Sequence, residues 1–144
     1  MDAENNLVFV YGSLKIGEHN NVILKNSQFI FDATTLENQF DMMDLGSFPA
    51  VINGGSNKIM GEVYKVDNAT LQRLDALEGN GVFYKREQRL VKSCNEDIQA
   101  LAWIYILVDE RETSFITNTQ NIGRKDSTLS WRFNSGGLLY NTSN

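Results

Sequence analysis

The sequence predicts an α+β fold: a single strand-rich domain curled into a small barrel, with one well-marked helix. Three observations carry this expectation. Short apolar runs rich in β-branched and aromatic residues recur between residues 7 and 108. Residues 68–78 (NATLQRLDALE) combine a cap, a helical apolar stripe and a glycine stop. The 144 residues fit the size of one domain, and neither a linker nor an internal repeat divides them.

Residues 7–11 (LVFVY) are continuously apolar and read as a buried strand that ends at Gly12. A polar turn follows, and residues 20–25 can form a short helix. Residues 29–31 (FIF) open a second extended segment, and residues 40–45 read as another strand. Residues 48–52 (FPAVI) run into Asn53-Gly54-Gly55, a strong turn signal, ahead of residues 59–66 (IMGEVYKV). That pair is expected to form a hairpin. Asp67 or Asn68 can cap the helix, Leu71, Leu74 and Leu77 form its stripe, and Gly79 stops it. Residues 84–92 and 99–108 read as two further strands. From Asp109 the chain turns polar and rich in Ser, Thr and Asn, so residues 109–135 are expected to be partly irregular, with a return at Leu138-Leu139-Tyr140.

A net charge of −5 argues against nucleic acid as a partner, because phosphate backbones are bound by clustered Lys and Arg. Lys85-Arg86 with Arg89 would be split between the two faces of a strand. Cys94 is the single cysteine, which excludes an intramolecular disulfide and fits a reducing, cytoplasmic location. The polar, acidic start lacks the basic residues and apolar run of a signal peptide. The longest apolar run, residues 100–108, is about half of the ~20 residues that span a bilayer. A soluble protein acting on a small molecule, with no membrane partner, is the expectation.

Several chemistries are excluded by what the chain lacks. The one histidine, His19, sits in a polar stretch without an orienting partner and reads as a surface residue, so a Ser or Cys nucleophile has no base. One His and one Cys cannot supply a zinc set, and no phosphate-binding glycine fingerprint occurs. No metal and no cofactor is expected. Acid–base work by a carboxylate remains. At about 100° per residue, Glu78 projects within roughly 40° of the centre of the leucine stripe. An inward carboxylate at the last turn meets both desolvation and the negative end of the helix dipole, and each raises its pKa. A frayed last turn would instead bend Glu78 out to solvent. Tyr11-Gly12-Ser13-Leu14 follows a buried strand. Gly12 lets the backbone turn sharply and lets a ligand approach, so successive amides could form an anion-binding nest. An ordinary strand-to-loop turn is the other reading.

Val8-Phe9-Val10-Tyr11-Gly12-Ser13-Leu14-Lys15-Ile16-Gly17 resembles the opening motif of the γ-glutamylcyclotransferase-like family. Leu74-Asp75-Ala76-Leu77-Glu78-Gly79, followed by Tyr84-Lys85-Arg86, resembles that family's second motif, and Gly61-Glu62-Val63-Tyr64 also follows its pattern. The ending Gly137-Leu138-Leu139-Tyr140-Asn141 is most similar to the γ-glutamylamine cyclotransferase branch. The family's loop after the glutamate often carries a proline, whereas this chain has Gly79-Asn80-Gly81-Val82-Phe83. Within residues 109–135, only Trp131-Arg132 resembles part of the family's pattern. The resemblance implies a small mixed β-barrel flanked by helices. It also implies Glu78 as the catalytic carboxylate, substrate binding by Tyr11, Gly12, Ser13 and Leu14, and Tyr84 beside the pocket or simply in the core. The implied reaction cyclises a γ-glutamyl group to 5-oxoproline and releases an amine. Another γ-glutamyl substrate, or a binding module without turnover, would fit the same fold.

Overall fold

The structure is a computed structural model that describes residues 5–79, 81, 83–108 and 121–132. The first strand, β1 (Asn5–Val10), lies between two partners. It pairs antiparallel with β5 (Lys58–Asp67), Val10 opposite Glu62, and parallel with β7 (Gln99–Leu107), Val8 opposite Trp103. β7 forms an antiparallel hairpin with β6 (Tyr84–Ser93), and β6 pairs with β2 (Gln28–Thr35). β2 returns to β5, with a bulge between Phe29 and Phe31. The order β1-β7-β6-β2-β5 therefore closes on itself, and the expected small mixed barrel is present.

Barrel closure explains why residues 7–11 are apolar without alternation. Phe9 points into the barrel interior with Ala33, Val63, Val91, Ala102 and Ile104. Val8 and Val10 point outward, yet they are covered by Leu71 and Leu74 of the helix, Leu24 and Tyr84. A strand buried on both faces has no polar face to show in sequence. The outer cover is α1 (Asn68–Glu78), whose N-cap Asp67 accepts a hydrogen bond from the Thr70 amide at 2.8 Å. Gly79 ends it in the left-handed conformation (φ 60°), where a side chain is disfavoured. The short helix expected at 20–25 is a 3-10 turn, Asn21–Leu24.

The predicted hairpin between residues 48–52 and 59–66 does not form. β4 (Pro49–Asn53) pairs instead with β3 (Phe40–Asp44) as a separate two-stranded unit. β5 has only two edges, and β1 and β2 occupy them along most of its length. The turn signal at Asn53-Gly54-Gly55 marks a crossing rather than a reversal.

Of the segment 109–135, expected to be partly irregular, residues 121–132 are described. They contain β8 (Ile122–Lys125) and β9 (Thr128–Trp131), an antiparallel hairpin that adds to the start of β5 through parallel pairing of Lys58 and Thr128. Four-residue strands rich in Gly, Ser and charge carry too weak an alternation to read. Trp131 and Leu129 anchor the hairpin in the core. The return at Leu138-Leu139-Tyr140 and the ending 137–141 lie outside the described residues. Among those described, no helix is long and apolar enough to cross a membrane.

Candidate active site

A cleft of about 750 Å³ opens where β1 runs out. Tyr11, Gly12, Ser13 and Leu14 form one side, joined by Leu77 and Glu78 from the end of α1. Phe83, just ahead of β6, joins Tyr84, Tyr105 and Leu107 of β6 and β7, and residues 44–46, 48 and 49 come from the β3–β4 hairpin. All six residues singled out from sequence therefore meet at one place.

Glu78 is half-buried at the last turn, not frayed into solvent. Its direction differs in detail from the sequence expectation. Leu77 is 42% exposed at the cleft rim, and the buried stripe is Thr70, Leu71 and Leu74. With that stripe, and about 100° per residue, Glu78 lies roughly 35° from the centre and Leu77 roughly 65°. The carboxylate accepts no hydrogen bond from a described residue, and burial pushes its pKa from 4.5 up to about 7. A carboxyl near neutrality can both take and return a proton at physiological pH.

Three tyrosines surround it, and each hydroxyl proton is already committed. Tyr11 Oη donates to the Tyr105 carbonyl at 2.6 Å and accepts from the Val51 amide at 3.4 Å. Tyr84 Oη donates to the Pro49 carbonyl at 2.9 Å, and Tyr105 Oη donates to Asp75 Oδ1 at 2.6 Å. Burial first, with the Glu78 charge adding to it, raises the pKa of all three. Their hydroxyls are fixed, so the three act as walls and struts of the cleft. Arg86 Nε also binds Asp75 Oδ1, at 2.8 Å, so the helix end is tied to β6 and β7 one turn before Glu78.

The loop after β1 shows the complementary property. Its carbonyls are used: Gly12 O accepts from Lys15 N (3.0 Å), Ser13 O from Asn20 N (2.9 Å) and Leu14 O from Asn21 Nδ2 (2.7 Å). The amides of Gly12, Ser13 and Leu14 donate to no described residue, so they are free for a ligand in the cleft. Ser13 Oγ is held by Asn20 Nδ2 at 2.9 Å, and exposed His19 sits at the rim without bonding it. Gly12 is needed for a reason sequence did not reveal: a Cβ there would lie 2.5 Å from Pro49 Cδ. The proline ring of the neighbouring hairpin, rather than an unusual φ, excludes every larger residue.

Sequence reasoning missed the supports of this loop. Buried Glu62 accepts from the Ile16 amide at 3.0 Å and from Tyr64 Oη at 3.1 Å, pinning the loop to β5. Lys15 is buried nearby. Desolvation, and then the Arg132 charge, pull its pKa down to about 8 against the opposing pull of Glu62 and Glu18. A carboxylate between Gly61 and Val63, in the apolar middle of the strand, was the available signal for Glu62. Asp44, at 2% exposure in the cleft wall, left no such signal.

A family pattern described as "Gamma-glutamyl cyclotransferase, AIG2-like" matches residues 8–131. The chain belongs to this family. A relative in Vibrio cholerae, provisionally named a γ-glutamylcyclotransferase, is 40% identical over 100 residues, covering 69% of this chain and 80% of that protein. The γ-glutamylcyclotransferase family protein YtfP of Escherichia coli is 34% identical over 99 residues, with coverage of 69% and 80%. In three dimensions the chain is similar to an AIG2-like protein from mouse, with a TM-score of 0.67 at 23% identity, covering 81% of this chain and 86% of that one. The likeness in structure supports the barrel fold. The γ-glutamylcyclotransferase-like family match spans the loop, the helix and the β8–β9 hairpin together, so the hairpin is part of the family's domain.

Proposed function

We propose that this protein cyclises the γ-glutamyl group of a small γ-glutamyl amine or amino-acid conjugate to 5-oxoproline and releases the amine. The observation that carries the reading is Glu78: a half-buried carboxyl with a pKa near 7, unbonded by described residues and facing a cleft lined by free amides.

The substrate supplies its own nucleophile. Its α-amino nitrogen attacks its γ-carbonyl carbon, a C–N bond forms, and a five-membered ring closes through a tetrahedral oxyanion. Intramolecular attack gains from proximity. Glu78 takes the proton that the attacking nitrogen must lose and delivers it to the departing nitrogen as the original C–N bond breaks. The Gly12, Ser13 and Leu14 amides hold the oxyanion or the substrate α-carboxylate without reorganising during the reaction. Tyr11 and Tyr84, with fixed hydroxyls, shape the pocket. No step calls for a metal or a redox group.

The test is release of 5-oxoproline from a panel of γ-glutamyl amines, dipeptides and thiol conjugates, with Glu78→Gln alongside wild type. Release by wild type, reduced at least a hundredfold in the variant, supports the reading. Equal rates in the two proteins would sink it, and binding without turnover would make the protein a γ-glutamyl sensor instead.

A further inference from the structure

Asp44 ends β3 in the cleft wall, and its carboxylate is consumed by hydrogen bonds. Oδ1 accepts from the Gly46 amide at 3.0 Å, from Trp131 Nε1 at 3.1 Å and from Asn121 Nδ2 at 3.3 Å. Oδ2 accepts from the Asn121 amide at 3.0 Å. Asn121 Nδ2 also reaches the Gly46 carbonyl at 3.1 Å. One buried side chain thereby joins the 45–48 turn to both ends of the β8–β9 segment, 77 and 87 residues further along the chain.

An apolar contact would hold these parts together without fixing their angle. A carboxylate with directional donors on both oxygens does fix it, at the expense of burying a charge. What it orients is functional: Leu45, Gly46 and Phe48 of that turn line the cleft, and Phe48 is 44% exposed at its rim. Asp44 therefore acts on the cleft through the groups it holds rather than through an open edge of its own.

We propose that Asp44 is a positioning residue that sets the 44–49 wall against the β8–β9 hairpin and so determines which leaving amines the cleft accepts. This rests on the cyclotransferase reading for its kinetic test, and a binding measurement separates the two. Asp44→Asn keeps the size of the side chain but replaces an acceptor with a donor facing other donors. Trp131→Phe removes one N–H and keeps an aromatic ring in the core. Arg124→Met is the control, because it cuts the hairpin's 2.9 Å tie to Asn57 Oδ1 and leaves Asp44 alone.

The measurements are KM, kcat and calorimetric Kd over a series of γ-glutamyl conjugates with leaving groups of increasing bulk. Asp44→Asn is expected to raise KM about tenfold, to change the rank order of the leaving groups and to lower kcat less than threefold. Trp131→Phe shifts the same quantities in the same direction by less. The acidic limb of the pH–rate profile stays near pH 7, because Glu78 is untouched. Unchanged KM and rank order in folded Asp44→Asn and Trp131→Phe overturn the proposal, as does an equal KM shift in Arg124→Met. If Asp44→Asn does not fold, Trp131→Phe decides. Binding by wild type without turnover sinks the cyclotransferase reading alone, and the Kd series then tests Asp44. A wild type that binds no conjugate overturns both.

Discussion

The wall made by residues 11–14 and the end of α1, and the wall made by residues 44–49 with the β8–β9 hairpin, enclose the same cleft but are held in different ways. The first takes its shape mainly from local features: a strand that stops, a loop whose carbonyls bond residues no more than 7 positions on, and a capped helix whose last turn points inward. Longer ties from Tyr11 to Tyr105 and from Ile16 to Glu62 then hold it to the barrel. The second is assembled across the chain, by one buried carboxylate whose partners lie 77 and 87 residues away. Local geometry sets the positions of Glu78 and the loop amides, and long-range polar contacts shape the space around them. The chemistry of the first wall should therefore hinge on single residues, whereas the second should respond through substrate choice.

The largest effect expected is at Glu78. Glu78→Gln keeps the shape of the first wall and removes its proton carrier, so kcat/KM for 5-oxoproline release should fall by about 10²–10⁴. In the wild type, the acidic limb of kcat/KM should have its midpoint near pH 7, since the base must be ionised and burial raises its pKa to about 7. A midpoint near 4.5 would show that the first wall does not desolvate its carboxyl.

Gly12→Ala tests a place where the two walls touch. The added methyl meets the Pro49 ring, so either the loop or the hairpin must move. Overpacking of this kind costs about 1–3 kcal/mol in urea denaturation. Activity should fall more than stability alone explains, because the free amides shift with the loop. Unchanged kinetics would mean that the loop amides do not touch the substrate.

A third effect follows from linkage. The folded pKa of Glu78 lies above its unfolded value of 4.5, so the folded state holds the extra proton between about pH 4.5 and pH 7. The stabilisation of the neutral form is complete below that window and is lost as pH rises through it. Glu78→Gln should thus be about 1–3 kcal/mol more stable than wild type at pH 8 and nearly equal to it at pH 4. Thermal or urea unfolding at the two pH values checks the sign, and a difference that grows toward low pH would refute it.

Tyr105→Phe should have the smallest effect. It deletes one of two ties on Asp75 and leaves the Arg86 contact, so about 1 kcal/mol of stability and less than a tenfold loss in rate are expected. A larger rate loss would show that the helix end depends on that hydroxyl for its register.

The helix and its cap were legible because Asp67, the leucine spacing and Gly79 lie within a dozen residues of one another. The same spacing misplaced Leu77, because the buried stripe includes Thr70, whose polarity hides its burial. The loop 11–14 was legible as a candidate nest, but the role of Gly12 depends on Pro49, which lies in another element. The pairing of β4 is not readable from its turn, because a glycine-rich turn signals a change of direction without naming the next partner. Competition for the edges of β5 chose β3 instead. The β8–β9 hairpin was hidden since its stability comes from burying Leu129 and Trp131 against distant strands rather than from alternation within its own short strands.

By itself, the order of residues determined the strands around β1, the capped helix and the inward direction of Glu78, because periodicity, capping and turn chemistry act over a few neighbours. Tertiary structure alone decided the closure of the barrel, the meeting of the 11–14 loop with Glu78 in one cleft and the Asp44 junction. Those depend on which strand edges and buried polar groups meet once the chain has folded back on itself.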